Sequence, residues 1–252
     1  MKKIKLTKDS IHGLLDTLLK RSPNNYGQYA DAVNEIVEAV KKDRDQAVFA
    51  YTKKFDGASL TAETIQVTQE EIDEAYTMID PEVLEVIRKA IVNIRTYHEK
   101  QRQYSWFDSQ PNGTILGQKV TPLTRVGVYV PGGKAAYPSS VLMNILPAKV
   151  AGVEQIIMVT PPGKDGKVNP GTLVAAHEAG ADAVYKVGGA QAVAALAFGT
   201  ESIPKVDKIV GTSDMKKVTD LKGNPLLLFV NSWSVGMTED RNPGLILTEF
   251  SK

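Results

Sequence analysis

Between residues 126 and 211 the sequence alternates short β-rich runs with helical stretches, and this constrains the fold more than any other feature. Val126-Gly-Val-Tyr-Val130 ends in Pro131-Gly132-Gly133, and a helical stretch follows from about Ser139 to Val150. Gln155–Thr160 ends in a Pro-Pro-Gly turn and leads to a helix over Pro170–Ala179. Ala183–Val187 ends in Gly188-Gly189, with a helix over Ala190–Phe198, and Val206–Gly211 closes the series. Short connections between such elements predict βαβ units, a parallel sheet and right-handed crossovers. In sheets of this kind the ligand crevice lies outside the carboxyl ends of the strands. The glycine-rich turns fall at those ends.

The residues before this segment read as helices. Leu14, Leu15, Leu18 and Leu19 form one apolar stripe. A longer one runs through Ala32, Val33, Ile36, Val37, Val40, Ala47, Val48 and Tyr51, near the 3.6-residue period, and closes at Phe55-Asp56-Gly57. Thr68 followed by Glu71 is a capping-box pattern, and Asp80-Pro81 starts a further amphipathic helix reaching Tyr97. Gln110-Pro-Asn-Gly113 is a turn-rich break, and Trp106 is placed over the junction between the two parts. The fold class is therefore α/β. The division is a mostly helical part over 1–124, a Rossmann-like parallel-sheet domain over 125–211, and a divergent tail over 212–252. In that tail Leu226–Val230 and Leu245–Leu247 are possible strands.

Composition removes several kinds of chemistry. The chain has no cysteine, which excludes disulfides, thiolate metal sites and a cysteine nucleophile. Its three histidines, His12, His98 and His177, are too far apart in sequence to form a local metal pair. Thirty basic against 29 acidic residues give a net charge of +1, without the large cationic excess of a nucleic-acid binder. The longest aliphatic and aromatic run, Leu226–Val230, is far short of the ~20 residues of a membrane span, and no apolar signal core follows the basic N-terminus. These features are those of a cytoplasmic protein with neither a nucleic-acid nor a membrane partner.

The two glycine turns are the candidate ligand contacts, the first being either that or a structural strand-to-helix turn. Val128-Tyr129-Val130-Pro131-Gly132-Gly133 brings backbone amides to a strand end, and glycine permits close approach of an anion there. Lys134 either meets that anion or is solvated. Gly188-Gly189-Ala190-Gln191 is the second turn, in which Gln191 either reaches the crevice or faces water. Neither turn has the G-x-G-x-x-G dinucleotide fingerprint. His98 reads as a packing or surface residue, and His177-Glu178 as a solvated pair on a crossover helix.

Three stretches together resemble the histidinol dehydrogenase family: Val126 to Met143, Val187 to Ser202, and Pro204 to Gly211. Phe55-Asp56 and the Tyr97-His98 to Gln101 segment look like further landmarks of that family, so the likeness runs from near the start to Gly211. It implies NAD- and zinc-dependent oxidation of L-histidinol to L-histidine through the aldehyde, by a homodimer whose active site is shared between subunits. It also implies that Tyr129 and Gln191 contact NAD. The family continues after the last strand with Gly-Pro-Gly-Asn, whose Asn is a third NAD contact, whereas here the run is Gly211-Thr-Ser-Asp214. Asp214 would thus put an acceptor-only carboxylate beside an anionic cofactor.

The family's zinc ligands (a Gln, two His and an Asp) and its Glu-His acid–base pair lie in a long second half. Thr212–Lys252 contains no histidine, so no residue here is assigned a metal-binding or catalytic role. Alcohol oxidation needs a base for the hydroxyl proton and, in the family, zinc to polarise the oxygen. The expectation is a chain that binds NAD but is impaired in turnover, shortened relative to the family. Two alternatives stay open: a non-catalytic NAD-binding or interaction module, and a remnant or chimera of the enzyme.

Overall fold

The computed structural model describes residues 27–132 and 137–211, together with the backbone of 227–229. The leucine stripe before residue 20, His12, Lys134, Asp214 and the strand expected at 245–247 lie outside the described residues.

The first helix, α1 (Gly27–Asp56), is kinked at Arg44, whose backbone has φ 51 and ψ −127. A positive φ is uncommon for a side chain of this size, and surrounding contacts hold it. Arg44 Nη1 donates to the carbonyls of Phe198 and Gly199 at 3.2 and 2.6 Å, and Ser202 Oγ donates to Asp45 at 2.6 Å. The periodicity alone had suggested one unbroken helix here. Gly57, at φ 74, closes α1 as expected. Helix α2 (Gln69–Met78) starts on the Thr68–Glu71 capping box, and α3 (Pro81–Glu99) starts on Asp80 with proline in its first turn.

The stretch read as a turn-rich break is a hairpin. β1 (Trp106–Ser109) pairs antiparallel with β2 (Ile115–Gln118), and every residue of both strands is exposed. Trp106 therefore projects from this hairpin, 55% exposed, and does not cover a junction.

The main sheet matches the alternation in order and nearly in bounds. It is built from β3 (Arg125–Tyr129), α4 (Pro138–Ala151), β4 (Gln155–Thr160), α5 (Pro170–Ala179), β5 (Ala183–Lys186), α6 (Gly189–Phe198) and β6 (Lys208–Gly211). A short β7 (Leu227–Phe229) adds to the edge, giving the parallel order β5-β4-β3-β6-β7. β4 reads almost wholly buried, as expected when both faces of a parallel sheet are covered.

Two cores result. Val126, Val128, Ile156, Met158 and Val184 face α4 and α5, with α2 and α3 packed outside them. Ile157, Val159, Tyr185 and Ile209 face α6, which α1 covers. Period-two alternation along each strand divides its side chains between these faces. Gly127 belongs to the α6 face, where a Cβ would lie 2.9 Å from Leu196 Cδ1. Tyr129, two residues on, points to the same face and packs against the α6 core.

Candidate functional site

Three strand ends converge on Pro161. A Cβ on Gly132, beyond β3, would lie 2.6 Å from Pro161 Cγ, and one on Gly188, beyond β5, would lie 2.5 Å from Pro161 Cβ. Neither position has room for a side chain. Gly188 is also the N-cap of α6 and has no side chain to cap it, so apart from the Tyr129 hydroxyl on Gly189 N–H no side chain among the described residues meets that helix end. Its first-turn amides and the positive end of the helix dipole therefore face the crevice. Gly189 has φ 63, and its N–H donates to the Tyr129 hydroxyl at 3.3 Å. A Cβ on Gly189 would lie 2.6 Å from Gln191 Oε1. Tyr129 and Gln191, 62 residues apart in sequence, thus meet at Gly189.

Gln191 does not face water. It is 0% exposed, and among the described residues neither Oε1 nor Nε2 has a hydrogen-bond partner. A buried amide without partners costs free energy that folding alone does not return. Its two donors and its acceptor stand open to a group that enters the crevice.

Asp56, the last residue of α1, belongs to the same corner. Its Oδ2 is buried without a partner among the described residues, and burial pushes its carboxyl above the ordinary range. The Tyr129 hydroxyl is likewise pushed up, chiefly by burial; the Gly189 N–H opposes the shift and the Asp56 charge adds to it. The sequence reading assigned Asp56 no role, only a place among the landmarks. The pairing of an acidic residue with a helix-ending glycine was the one local signal available.

A cleft of about 530 Å³ opens on the other side of Pro161, lined by Glu71, Glu74, Thr160, Lys167 and Asn169 among others. Its charges are already matched. Lys167 Nζ bonds both Glu74 oxygens at 2.6 and 2.7 Å, and the buried Lys186 Nζ bonds both Glu71 oxygens at 2.8 and 3.0 Å. Asn169 caps α5. Among the described residues, Gln191 and Asp56 carry buried polar atoms without partners near the Gly189 turn, so the site is placed there and not in the larger cleft.

The histidines are occupied elsewhere. His98 is buried, its Nδ1 2.7 Å from Gln101 Oε1, and burial lowers its pKa. His177 is exposed, with Nδ1 2.9 Å from the Tyr76 hydroxyl. Its neighbour Glu178 is not a solvated residue: it accepts from Tyr76 at 2.8 Å and from Arg88 at 2.9 and 3.1 Å.

The family model for histidinol dehydrogenase matches residues 19–216, most of the chain. The chain belongs to the histidinol dehydrogenase family. It is 60% identical over 183 residues to the histidinol dehydrogenase of Bacillus subtilis (strain 168), covering 73% of this chain and 42% of that protein. It is 52% identical over 200 residues to that of Heliobacterium mobile, covering 79% and 47%. The crystal structure of histidinol dehydrogenase from Elizabethkingia anophelis aligns with a TM-score of 0.70 at 37% identity, over 74% of this chain and 43% of the other. The chain thus spans just under half the length of these relatives.

Family membership implies NAD and zinc. The crevice fits a dinucleotide: glycines where a backbone must come close, a glycine-capped helix start, and a buried amide with no partner among the described residues. The described residues do not fit zinc, since no group of three or more His, Asp or Glu side chains among them could hold a metal ion. No helix among them is long and apolar enough to cross a membrane.

Proposed function

We propose that this chain supplies the NAD-binding half of a histidinol dehydrogenase, the enzyme type that oxidises L-histidinol to L-histidine through the aldehyde. The observation carrying this reading is Gln191, wholly buried at the C-terminal edge of a parallel sheet with both amide atoms unpartnered. When bound, NAD supplies the hydride acceptor. Gln191 offers it donors and an acceptor. The Tyr129 oxygen accepts from Gly189 N–H, which leaves the Tyr129 proton free to donate to the cofactor. The glycine-capped start of α6 faces the anionic pyrophosphate. Asp214 is the third contact in this reading, and its acceptor-only carboxylate weakens the hold compared with the family's amide.

The base for the histidinol hydroxyl and the zinc that polarises its oxygen come from outside residues 27–211. The division at 124 and 211, a homodimeric assembly, a cytoplasmic setting and histidinol as substrate belong to the same proposal. A calorimetric titration of the full 252-residue chain with NAD tests it. NAD binds, Tyr129→Phe weakens binding severalfold, and histidinol with added zinc gives no NADH above blank. Absence of NAD binding at millimolar concentration overturns the cofactor reading. NADH formation by the chain alone overturns the assignment of the chemistry to other residues.

A further inference from the structure

We infer that Asp56 is a further cofactor-binding residue of this crevice, its carboxylate accepting a hydrogen bond from a ribose hydroxyl of NAD. This rests on the NAD reading above. Asp56 closes α1, the helix that covers α6 on the sheet face that also carries Tyr129, and Gln191 lies in the first turn of α6. It stands near enough to Tyr129 for its charge to act on that hydroxyl. Among the described residues no hydrogen bond or ion pair reaches its carboxylate, and Oδ2 is sealed from water.

Three unfavourable conditions coincide at this one residue. The carboxylate is partly desolvated, it lacks a partner, and it sits at the negative end of a helix dipole, where acidic side chains destabilise. A residue with a purely structural role would have a donor or a cation beside it. The residue one turn earlier on the same face, Thr52, is also wholly buried with its hydroxyl oxygen unpartnered. Four of the six unpartnered buried side-chain atoms among the described residues belong to Thr52, Asp56 and Gln191. They mark one polar corner between α1 and α6 that the described residues leave unsatisfied.

The chemistry narrows what Asp56 takes. An ionised carboxylate only accepts hydrogen bonds, so it selects a donor and repels phosphate. On a dinucleotide, the group that presents two adjacent hydroxyl donors to a two-oxygen acceptor is a ribose diol. Acidic residues meet ribose hydroxyls in other dinucleotide sheets as well, although there the residue follows the first glycine turn. Here it arrives from a helix that precedes the sheet.

The test is calorimetry on the full chain with NAD and with NAD analogues lacking single ribose hydroxyls, using the natural chain and Asp56→Asn. In the natural chain NAD binds about tenfold more tightly than at least one deoxy analogue, the scale of a hydrogen bond to a charged group. Asp56→Asn weakens NAD by a similar factor, abolishes that preference, and melts at or above the natural temperature. Equal binding of NAD to both proteins, within twofold, overturns the inference while leaving the NAD site standing. So does equal binding of all analogues to the natural chain, which decides the matter even if the variant does not fold. No NAD binding to the natural chain overturns the cofactor reading, and this inference with it.

Discussion

Opposite faces of one sheet carry two clusters of polar side chains that end in opposite ways. On the α5 face, Tyr76 donates to Glu178 and lies 2.9 Å from His177 Nδ1, while Arg88 grips both Glu178 oxygens. With the Tyr76 proton on Glu178, His177 Nδ1–H is the donor to the Tyr76 oxygen. The Arg88 guanidinium holds the Glu178 carboxyl below its ordinary range. Each group has found its partner, and the cluster pins α2 and α3 onto α5. On the α6 face, Thr52 and Gln191 are wholly buried and Asp56 half-buried, deeper than the first cluster, but among the described residues their buried polar atoms have none. The first cluster is a device for folding. The second burdens folding unless a further group satisfies it.

This contrast gives opposite responses to substitution. The largest effect falls at Gln191. Replacing it by leucine removes two unpartnered polar atoms, so the melting temperature holds or rises, while NAD affinity drops by about tenfold or more. A loss of stability without loss of binding, read by thermal melting beside calorimetry, breaks the comparison. Next is Gly188→Ala, whose Cβ would press on Pro161 at 2.5 Å. Overpacking of this sort costs about 1–3 kcal/mol by denaturant titration, and it also closes the crevice to NAD. Tyr76→Phe gives the mirror image of Gln191→Leu. It loses about 1 kcal/mol of stability, one hydrogen bond's net worth, with NAD binding unchanged.

The smallest effect is a pH response at His98, which is buried with its pKa held below the ordinary value by desolvation. The unfolded chain takes up a proton there as pH falls through ~6.5, and the folded chain resists doing so. Stability therefore declines below that pH, by at most about 1.4 kcal/mol per pH unit, and His98→Gln flattens the slope. Denaturant midpoints compared between pH 7.5 and pH 5.5 check this; a slope unchanged by the substitution contradicts it.

How much of this was legible in the sequence depended on where each element lies. The strands from β3 to β6 are buried on both faces, so unbroken β-branched runs closed by glycine turns announced them nearly to the residue. The β1–β2 hairpin is exposed on both faces and has no alternation to read. Only Asn112-Gly113 between Trp106–Ser109 and Ile115–Gln118 hinted at it. The Arg44 kink was hidden because the bonds that hold it come from Phe198 and Gly199, more than 150 residues away. At the site, the turn positions of Tyr129 and Gln191 were readable from their glycines. That Gln191 is sealed and without a partner among the described residues was not, because burial is set by tertiary packing that its local sequence does not show. Asp56 escaped for the same reason: its neighbours are distant in sequence, and nothing around it locally distinguishes it from a solvated helix end.

The central claim is that the unpartnered corner is held open for NAD. The most direct test is the shift in melting temperature that NAD causes in the full chain and in Gln191→Leu, measured side by side. Ligand that binds only the folded state raises its melting temperature with concentration. NAD should raise that of the natural chain progressively and leave that of Gln191→Leu unmoved, although the variant starts at least as stable. An equal NAD-dependent rise in both proteins, or none in the natural chain, would contradict the claim.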